Sequence, residues 1–451
     1  MGQLIRCGGM NMSHVWKKSA GCIGIICALG ALTGCGSDNK ADDSASKGSA
    51  TAETKVSTEP VTIKYGNHSA QMSEDEFKRY VADPVKKKYP NITVEMVDFS
   101  KKGFTLPELV ATNTIPDIYV HYPSNLFDFM DLGLGYSIEE LIKQQKFDLN
   151  RIKPEFLETI KLAVSKDYLT GLPIDNNAFG LFYNKSLFDQ FGVSYPKDNM
   201  TWDDVKGVAV RLNRNVSGVQ YLGLHPDSVN RGARQLALPY IDVKNDKPVF
   251  QAQWKELFDM WASLYKIQGG DIPKGLSFTK GFYDGTIAMI GGYSFLITTM
   301  NKTPGLQWDV VTYPTSPKAP GVGSVVDSLV ANITSTSKHK PEAFQVLSVI
   351  LSDDVQIDMG RQAARMSVLK DANIQSQFGK GVPELQSKNV VALTKLKLAP
   401  LQPYKYTFGA NPATIINNAF NAVVYDGKDA NTALREADEL MNQEIQKALN
   451  K

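Results

Sequence analysis

VTIKYGNHSAQMSEDEFKRYVADPVKKKYPNITVEM, residues 61–96, holds two kinds of periodicity in one stretch. Val61, Ile63 and Tyr65 alternate with Thr62 and Lys64, the period-two pattern of a strand with one face buried. Ser73 and Glu76 then form a capping-box pair. It opens a helix whose apolar residues Phe77, Tyr80, Val81, Val85 and Tyr89 recur at three- and four-residue steps. Pro84 lacks an amide hydrogen inside that pattern and is expected to kink or divide the helix. Pro90-Asn91 stops it, and Ile92 to Met96 alternates again as a second strand.

Reading outward, a helix is expected around Leu106 to Thr112, then a short buried strand at Pro116 to Val120. Strands alternating with helices point to an α/β fold with a parallel sheet covered on both faces. Further helices are expected at Pro154 to Val164, Lys185 to Phe191, Trp202 to Leu212, Gln253 to Tyr265, Pro341 to Leu351 and Ala430 to Leu449. Ser137 with Glu140 reads as another capping box, and Thr201 as the N-cap of the helix starting at Trp202. Trp254 and Trp261, seven apart on one helix face, read as core.

At 451 residues the chain exceeds what a single core usually holds, and 43% hydrophobic with 21% charged residues excludes a disordered or polytopic membrane protein. From Cys35 onward, 46 basic residues face 47 acidic ones, so nothing steers the chain toward nucleic acid. Its four cysteines, Cys7, Cys22, Cys27 and Cys35, all precede residue 36, leaving the rest unable to form a disulfide or a thiolate metal site. Lys17 and Lys18 precede an apolar run, Ala20 to Leu32, of signal-peptide length. That run ends in Leu32-Thr33-Gly34-Cys35, which resembles the bacterial lipobox. The resemblance implies cleavage before Cys35, lipidation of its sulfur and attachment to the outer face of the cell membrane. Gly36 to Glu59 has no aromatic and one branched aliphatic, Val56, as suits a flexible tether between anchor and body.

Five phrases carry a family resemblance when taken in order. They are Lys87-Lys88-Tyr89-Pro90-Asn91-Ile92-Thr93-Val94; Ile115-Pro116-Asp117-Ile118; Gly171-Leu172-Pro173 with Leu181-Phe182-Tyr183-Asn184-Lys185-Ser186-Leu187-Phe188; Met200-Thr201-Trp202-Asp203-Asp204; and Asp284-Gly285-Thr286-Ile287-Ala288-Met289-Ile290-Gly291-Gly292-Tyr293. From about Val61 to the C-terminus the chain resembles the family 1 extracellular solute-binding proteins, the maltose-binding-protein-like receptors of ABC importers. The resemblance implies a two-lobed, type II periplasmic-binding-protein-like α/β fold, each lobe a mainly parallel sheet flanked by helices. The lobes would comprise residues 60–175 with 325–378 and residues 176–324 with 379–451, after a signal peptide at 1–34 and a lipidated tether at 35–59. Chain crossings would fall near Pro173 to Ala178, Val322 to Leu329 and Asn373 to Gly381, with a ligand held between lobes that close on it.

A carbohydrate cleft needs flat apolar faces for C–H surfaces and planar polar groups for hydroxyls. Candidates are Asn67, His68, His121 and Tyr122 at strand ends; Asn176, Asn177 and Phe179 at the first crossing; and Asp227, Arg231, Tyr293, Arg365, Tyr406 and Phe408 beyond it. Tyr293, by position in the family phrase, is the foremost stacking candidate, while Asp227 and Arg231 could instead pair with each other. The implied receptor is a monomer that takes a small solute, a carbohydrate by preference, and hands it to ABC permease subunits, with no cofactor, metal or nucleic acid. The alternatives are a polyamine or anion cargo, a non-transport adhesin or sensor on the same fold, and an exported carbohydrate-active enzyme. The sequence holds none of the G-x-S-x-G, H-E-x-x-H, G-x-G-x-x-G or Walker patterns that an enzyme reading would use.

Overall fold

A computed structural model describes residues 59–68, 71–250, 252–400, 402 and 411–450, all within one compact unit, Glu53–Lys451. The signal peptide, Cys35, Tyr406 and Phe408 lie outside the described residues.

The alternation at residues 61–65 becomes the strand Val61–Asn67, with Ile63 and Tyr65 buried and Thr62 and Lys64 exposed. Ser73 caps the next helix reciprocally with Glu76. The helix is divided: Glu74–Phe77 passes through a π turn, Lys78–Ala82, into Asp83–Lys88, with Pro84 just after the π turn where a missing amide hydrogen is tolerated. The strand Ile92–Asp98 returns parallel to Val61–Asn67, and Ile118–His121 lies parallel on its other side. Val330–Ile333, from far along the chain, then inserts antiparallel between Ile118–His121 and Gly171–Pro173. At that seam a Cβ on Gly171 would stand 2.1 Å from the Ala331 carbonyl oxygen, so only glycine fits.

The second sheet differs from the expected parallel arrangement. Its central strand, Phe179–Asn184, is antiparallel to both Met289–Tyr293 and Trp308–Thr312, and the isolated bridges Leu222–Ile287 and His225–Ile290 add parallel pairing at one side. Phe179–Asn184 is buried throughout, and a fully buried apolar run carries no mark of its partners' direction. Ser137 also departs from expectation: the helix there is Glu139–Gln144 with Ile138 at the N-cap, and Glu139 accepts from the Leu169 amide.

Two hydrophobic clusters form. One gathers residues from Ile63 to Ile174 and from Val326 to Ile374; the other runs from Ala178 to Tyr313, with Ala364, Met366 and residues from Leu385 to Ile445. Trp254, Trp261 and Trp308 are the largest side chains sealed in the second core. The chain passes between the cores around residues 175–177, between Tyr313 and Val326, and between Ile374 and Leu385, with Ala364 and Met366 touching the second core before that.

Candidate functional site

Between the two cores lies an open cavity with about 690 Å³ of empty space, open solvent at its mouth included. Tyr122 and Val326 come from the first core, Leu238 and Tyr240 from the second, and Asp327 lies between Val326 and Leu329 of the first, just past the second crossing. Tyr122 follows the strand Ile118–His121, at the carboxyl end where open α/β sheets present ligands. Arg234 and Tyr240 arrive at the end of the helix Val229–Gln235, which Ser228 caps through the Asn230 amide.

The polar centre of the cavity is built by two crossing segments tied together. Asn177 donates from Nδ2 to the Tyr122 hydroxyl and to Asp327 Oδ2, both at 3.2 Å, and its backbone amide donates to the Asp327 carbonyl at 2.9 Å. Asn176 Oδ1 accepts from the Asp327 amide at 3.2 Å, while its backbone exchanges hydrogen bonds with Met366. Burial pushes the Asp327 carboxyl up, against the pull of Arg234, Asn177 and Arg231. Half-buried between cation and amide, Asp327 is placed to accept hydrogen bonds from a ligand.

Beside it stands an aromatic group. Arg231 pairs with Asp227 at 2.6 Å and donates to the Tyr293 hydroxyl, and its guanidinium lies 4.6 Å from the Tyr293 ring centre and 5.1 Å from that of Phe179. Phe179 and Tyr293 meet edge to face at 4.6 Å. Tyr293 is therefore locked and only 7% exposed, whereas Phe295, stacked on it at 5.6 Å, is 54% exposed. The Asp327 charge reaches Tyr293: after burial it is the largest influence raising the phenol's pKa.

Of the sequence candidates among the described residues, only Tyr122 lines this cavity; Asn176, Asn177 and Phe179 line a neighbouring one, and Asp227, Arg231 and Tyr293 line neither. The remaining candidates are spent elsewhere. Asn67 is fully buried and spends Nδ2 on the His68 and Met72 carbonyls, bracing the turn after its strand. His121 accepts the Tyr122 amide at Nδ1, and burial, assisted by neighbouring His68, pushes its pKa down to about 4. The imidazole is therefore neutral at ordinary pH with its proton on Nε2. His68 is half-buried beside it. Arg365 donates to Glu76, Asp175 and the Gln71 carbonyl, a buried brace rather than a cavity wall. Burial raises the Asp175 carboxyl, opposed chiefly by Arg365.

Sequence reasoning passed over Asp327, Arg234 and Tyr240, which line the cavity. Asp327 had a legible signal, a lone acid inside the apolar run Val325-Val326-Asp327-Ser328-Leu329-Val330.

The family model for bacterial extracellular solute-binding proteins matches residues 69–357. A multiple sugar-binding protein of Streptococcus mutans is 27% identical over 190 residues, 42% of this chain and 40% of that relative, so the match spans well under half of the relative's length. Among solved structures, an ABC substrate-binding protein of Listeria monocytogenes in complex with cycloalternan superposes with a TM-score of 0.70 at 18% identity, covering 86% of this chain and 100% of that one. The sugar-binding protein MalE of Xanthomonas citri gives a TM-score of 0.66 at 17% identity, covering 86% and 98%. These likenesses establish the type II periplasmic-binding-protein fold. With a cavity between two cores, three crossings and a family model matching well over half its length, the chain belongs to the bacterial extracellular solute-binding proteins.

Proposed function

We propose that this protein is a lipid-anchored receptor of an ABC importer, capturing a carbohydrate of oligosaccharide size between its two cores and releasing it unaltered to the permease. The observation that carries the reading is the cavity itself: Tyr122 and Tyr240 supply apolar faces, while Asp327 and Arg234 supply planar polar groups. Hydroxyl-rich ligands need that combination, with charge-assisted hydrogen bonds for the hydroxyls and rings for the C–H faces. Neither the clustered carboxylates a polyamine needs nor a purely basic lining for an anion is present among the residues lining this cavity.

Residues 60–175 with 325–378 would form one lobe and residues 176–324 with 379–451 the other. Closure would follow from a ligand touching both walls at once, because only the closed state makes both sets of contacts. Asn176 and Asn177 would act at the hinge, and Tyr293 would support Phe295 as the stacking face. Cys35 would carry the lipid, with the segment after it as tether and the body acting as a monomer outside the membrane.

Isothermal titration against a panel of mono- and oligosaccharides, polyamines and phosphate esters tests the cargo. Chromatography of the recovered ligand tests whether it leaves intact. Saturable binding of an oligosaccharide returned unchanged supports the receptor. Cleaved sugar, or binding confined to polyamines or anions, overturns the reading.

A further inference from the structure

A second cavity, with an empty volume of about 1220 Å³, opens beside the third crossing. Lys153, Lys370, Lys380 and Lys388 line it with Ser376 and Thr394, and no Asp or Glu is among its lining residues. Lys153 and Lys370 follow Ile152 and Leu369 of the first core, Lys388 lies between Leu385 and Val390 of the second, and Lys380 belongs to the crossing itself.

Four lysines thus border one space with no acid in its lining, though Glu155 and Asp309 act on Lys153 and Lys388 from outside it. Among the described residues none of the four enters an ion pair. Lys388 is partly committed, donating to the Trp308 carbonyl at 2.9 Å with its ammonium 4.4 Å from that ring's centre. Lys153 and Lys388 are only half exposed, and burial holds both below the ordinary lysine value, a cost that an incoming anion would reverse. The space is larger than the cavity at Asp327, and Phe378 and Leu385 give it an apolar side.

We propose that this lysine-lined cavity is an anion site, distinct from the carbohydrate cavity, that takes a multivalent phosphate-bearing ligand. Compact lysine charges suit phosphate oxygens approached from several directions, and the hydroxyls of Ser376 and Thr394 can add hydrogen bonds. Because its walls come from both cores and from the segment between them, occupancy would be linked to their relative position, and so to carbohydrate affinity, by reciprocal coupling.

The full chain in detergent is titrated calorimetrically with inorganic tripolyphosphate and, separately, with bis(glycerophospho)glycerol, the two-phosphate diester headgroup of an anionic lipid. Wild type should bind at least one of them, about tenfold more weakly once salt screens the charges. The combined variant Lys153→Gln, Lys370→Gln, Lys380→Gln should lose at least about tenfold in affinity while keeping its unfolding midpoint. Lys388 is retained because it supports Trp308. The exposed charge reversal Lys380→Glu, which has no packing to disturb, should weaken binding in the same direction and covers the case of a misfolded triple variant. Tighter binding of tripolyphosphate assigns the site to a soluble polyanion, and tighter binding of the diester to a membrane headgroup. Binding of neither anion, or equal binding by wild type and Lys380→Glu, overturns the proposal.

Discussion

Arg365 donates from Nη1 to Oδ2 of Asp175 at 2.6 Å, joining residues 190 positions apart in the chain. Asp175 stands at the first crossing and Arg365 near the third, and the same guanidinium reaches Glu76 beside the first sheet. The pair clamps two connecting segments to one core. Removing the cation alone leaves a buried carboxylate that keeps the hydrogen bond from the Leu329 amide. Arg365→Met should therefore cost on the order of 3–5 kcal/mol in denaturant unfolding, and adding Asp175→Asn should restore part of it. An unchanged unfolding midpoint in Arg365→Met would show that the clamp does not hold the crossings.

Asp327 is the cavity's carboxylate, and Asp327→Asn keeps its size while removing its charge. Loss of a charge-assisted hydrogen bond to a ligand hydroxyl should cost about 1.5–3 kcal/mol, roughly a 10- to 100-fold weaker dissociation constant by calorimetry. Equal affinity in variant and wild type would move the binding centre away from this residue.

The proposed roles of Phe295 as stacking face and Tyr293 as its support predict different outcomes for their substitutions. Phe295→Ala removes an exposed ring, so stability should change by less than about 0.5 kcal/mol while carbohydrate affinity falls by about tenfold. Tyr293→Ala would confound the two by opening a cavity in packed aromatics. Tyr293→Phe deletes only the hydroxyl that accepts from Arg231 and should leave affinity within about threefold. If Phe295→Ala binds as wild type does, the stacking face lies elsewhere.

Acid should destabilise the protein in two windows. Burial pushes both His121 and His225 down to about 4, from an ordinary value of 6.5. As pH falls between those values the unfolded imidazoles take up protons that the folded ones refuse, so stability is lost as pH falls and neither group contributes above 6.5. Each is worth at most on the order of 3 kcal/mol. Glu76 acts lower down: burial opposes its ionisation, but Arg365 and Ser73 outweigh that and hold the carboxyl below its usual range. Its stabilisation is present above the ordinary carboxylate range and lost as pH falls through it. Urea midpoints from pH 8 to 3 should show His121→Asn making the upper window about half as steep, with His225 keeping the rest, and Glu76→Gln changing only the lower. One common profile for all three proteins would refute this assignment.

Lipidation at Cys35 predicts that Cys35→Ala moves the protein from the membrane fraction toward the soluble one, with carbohydrate affinity unchanged. Fractionation identical to wild type would locate the anchor in another residue or in the apolar run Ala20 to Leu32.

Local rules were legible where they act through neighbours in the chain. The helices Pro154–Val164, Lys185–Phe191, Trp202–Leu212 and Ala430–Leu449 begin and end where caps and periodicity place them. Trp254 and Trp261 are sealed in the core, as their seven-residue spacing implied. Ser137-Ile138-Glu139-Glu140 matched a capping box, yet the helix starts one residue late, with Ile138 at the N-cap and Glu139 accepting from the Leu169 amide 30 positions away.

The candidate site was legible only in outline. Tyr122, Asn177 and Asp227 stand near or within it, but what each side chain does depends on partners such as Asp327, Arg231 and Tyr293, which periodicity cannot identify. Arg365 and Asn67 looked like ligand-facing polar groups in the sequence and are instead spent on Asp175, Glu76 and nearby carbonyls, since buried polar groups must be satisfied by whatever packs beside them.

By itself the sequence determined the alternation of strands and helices, the caps that bound them and the ordered phrases that mark the family, because these depend on backbone propensity and short-range pattern. Tertiary structure alone decided that Val330–Ile333 inserts antiparallel beside Ile118–His121, that Phe179–Asn184 pairs antiparallel on both sides, and that Asp327 rather than Arg365 faces the cavity. Each of those outcomes is set by which distant segments meet, and the free energy of that meeting is not written in any local window of the chain.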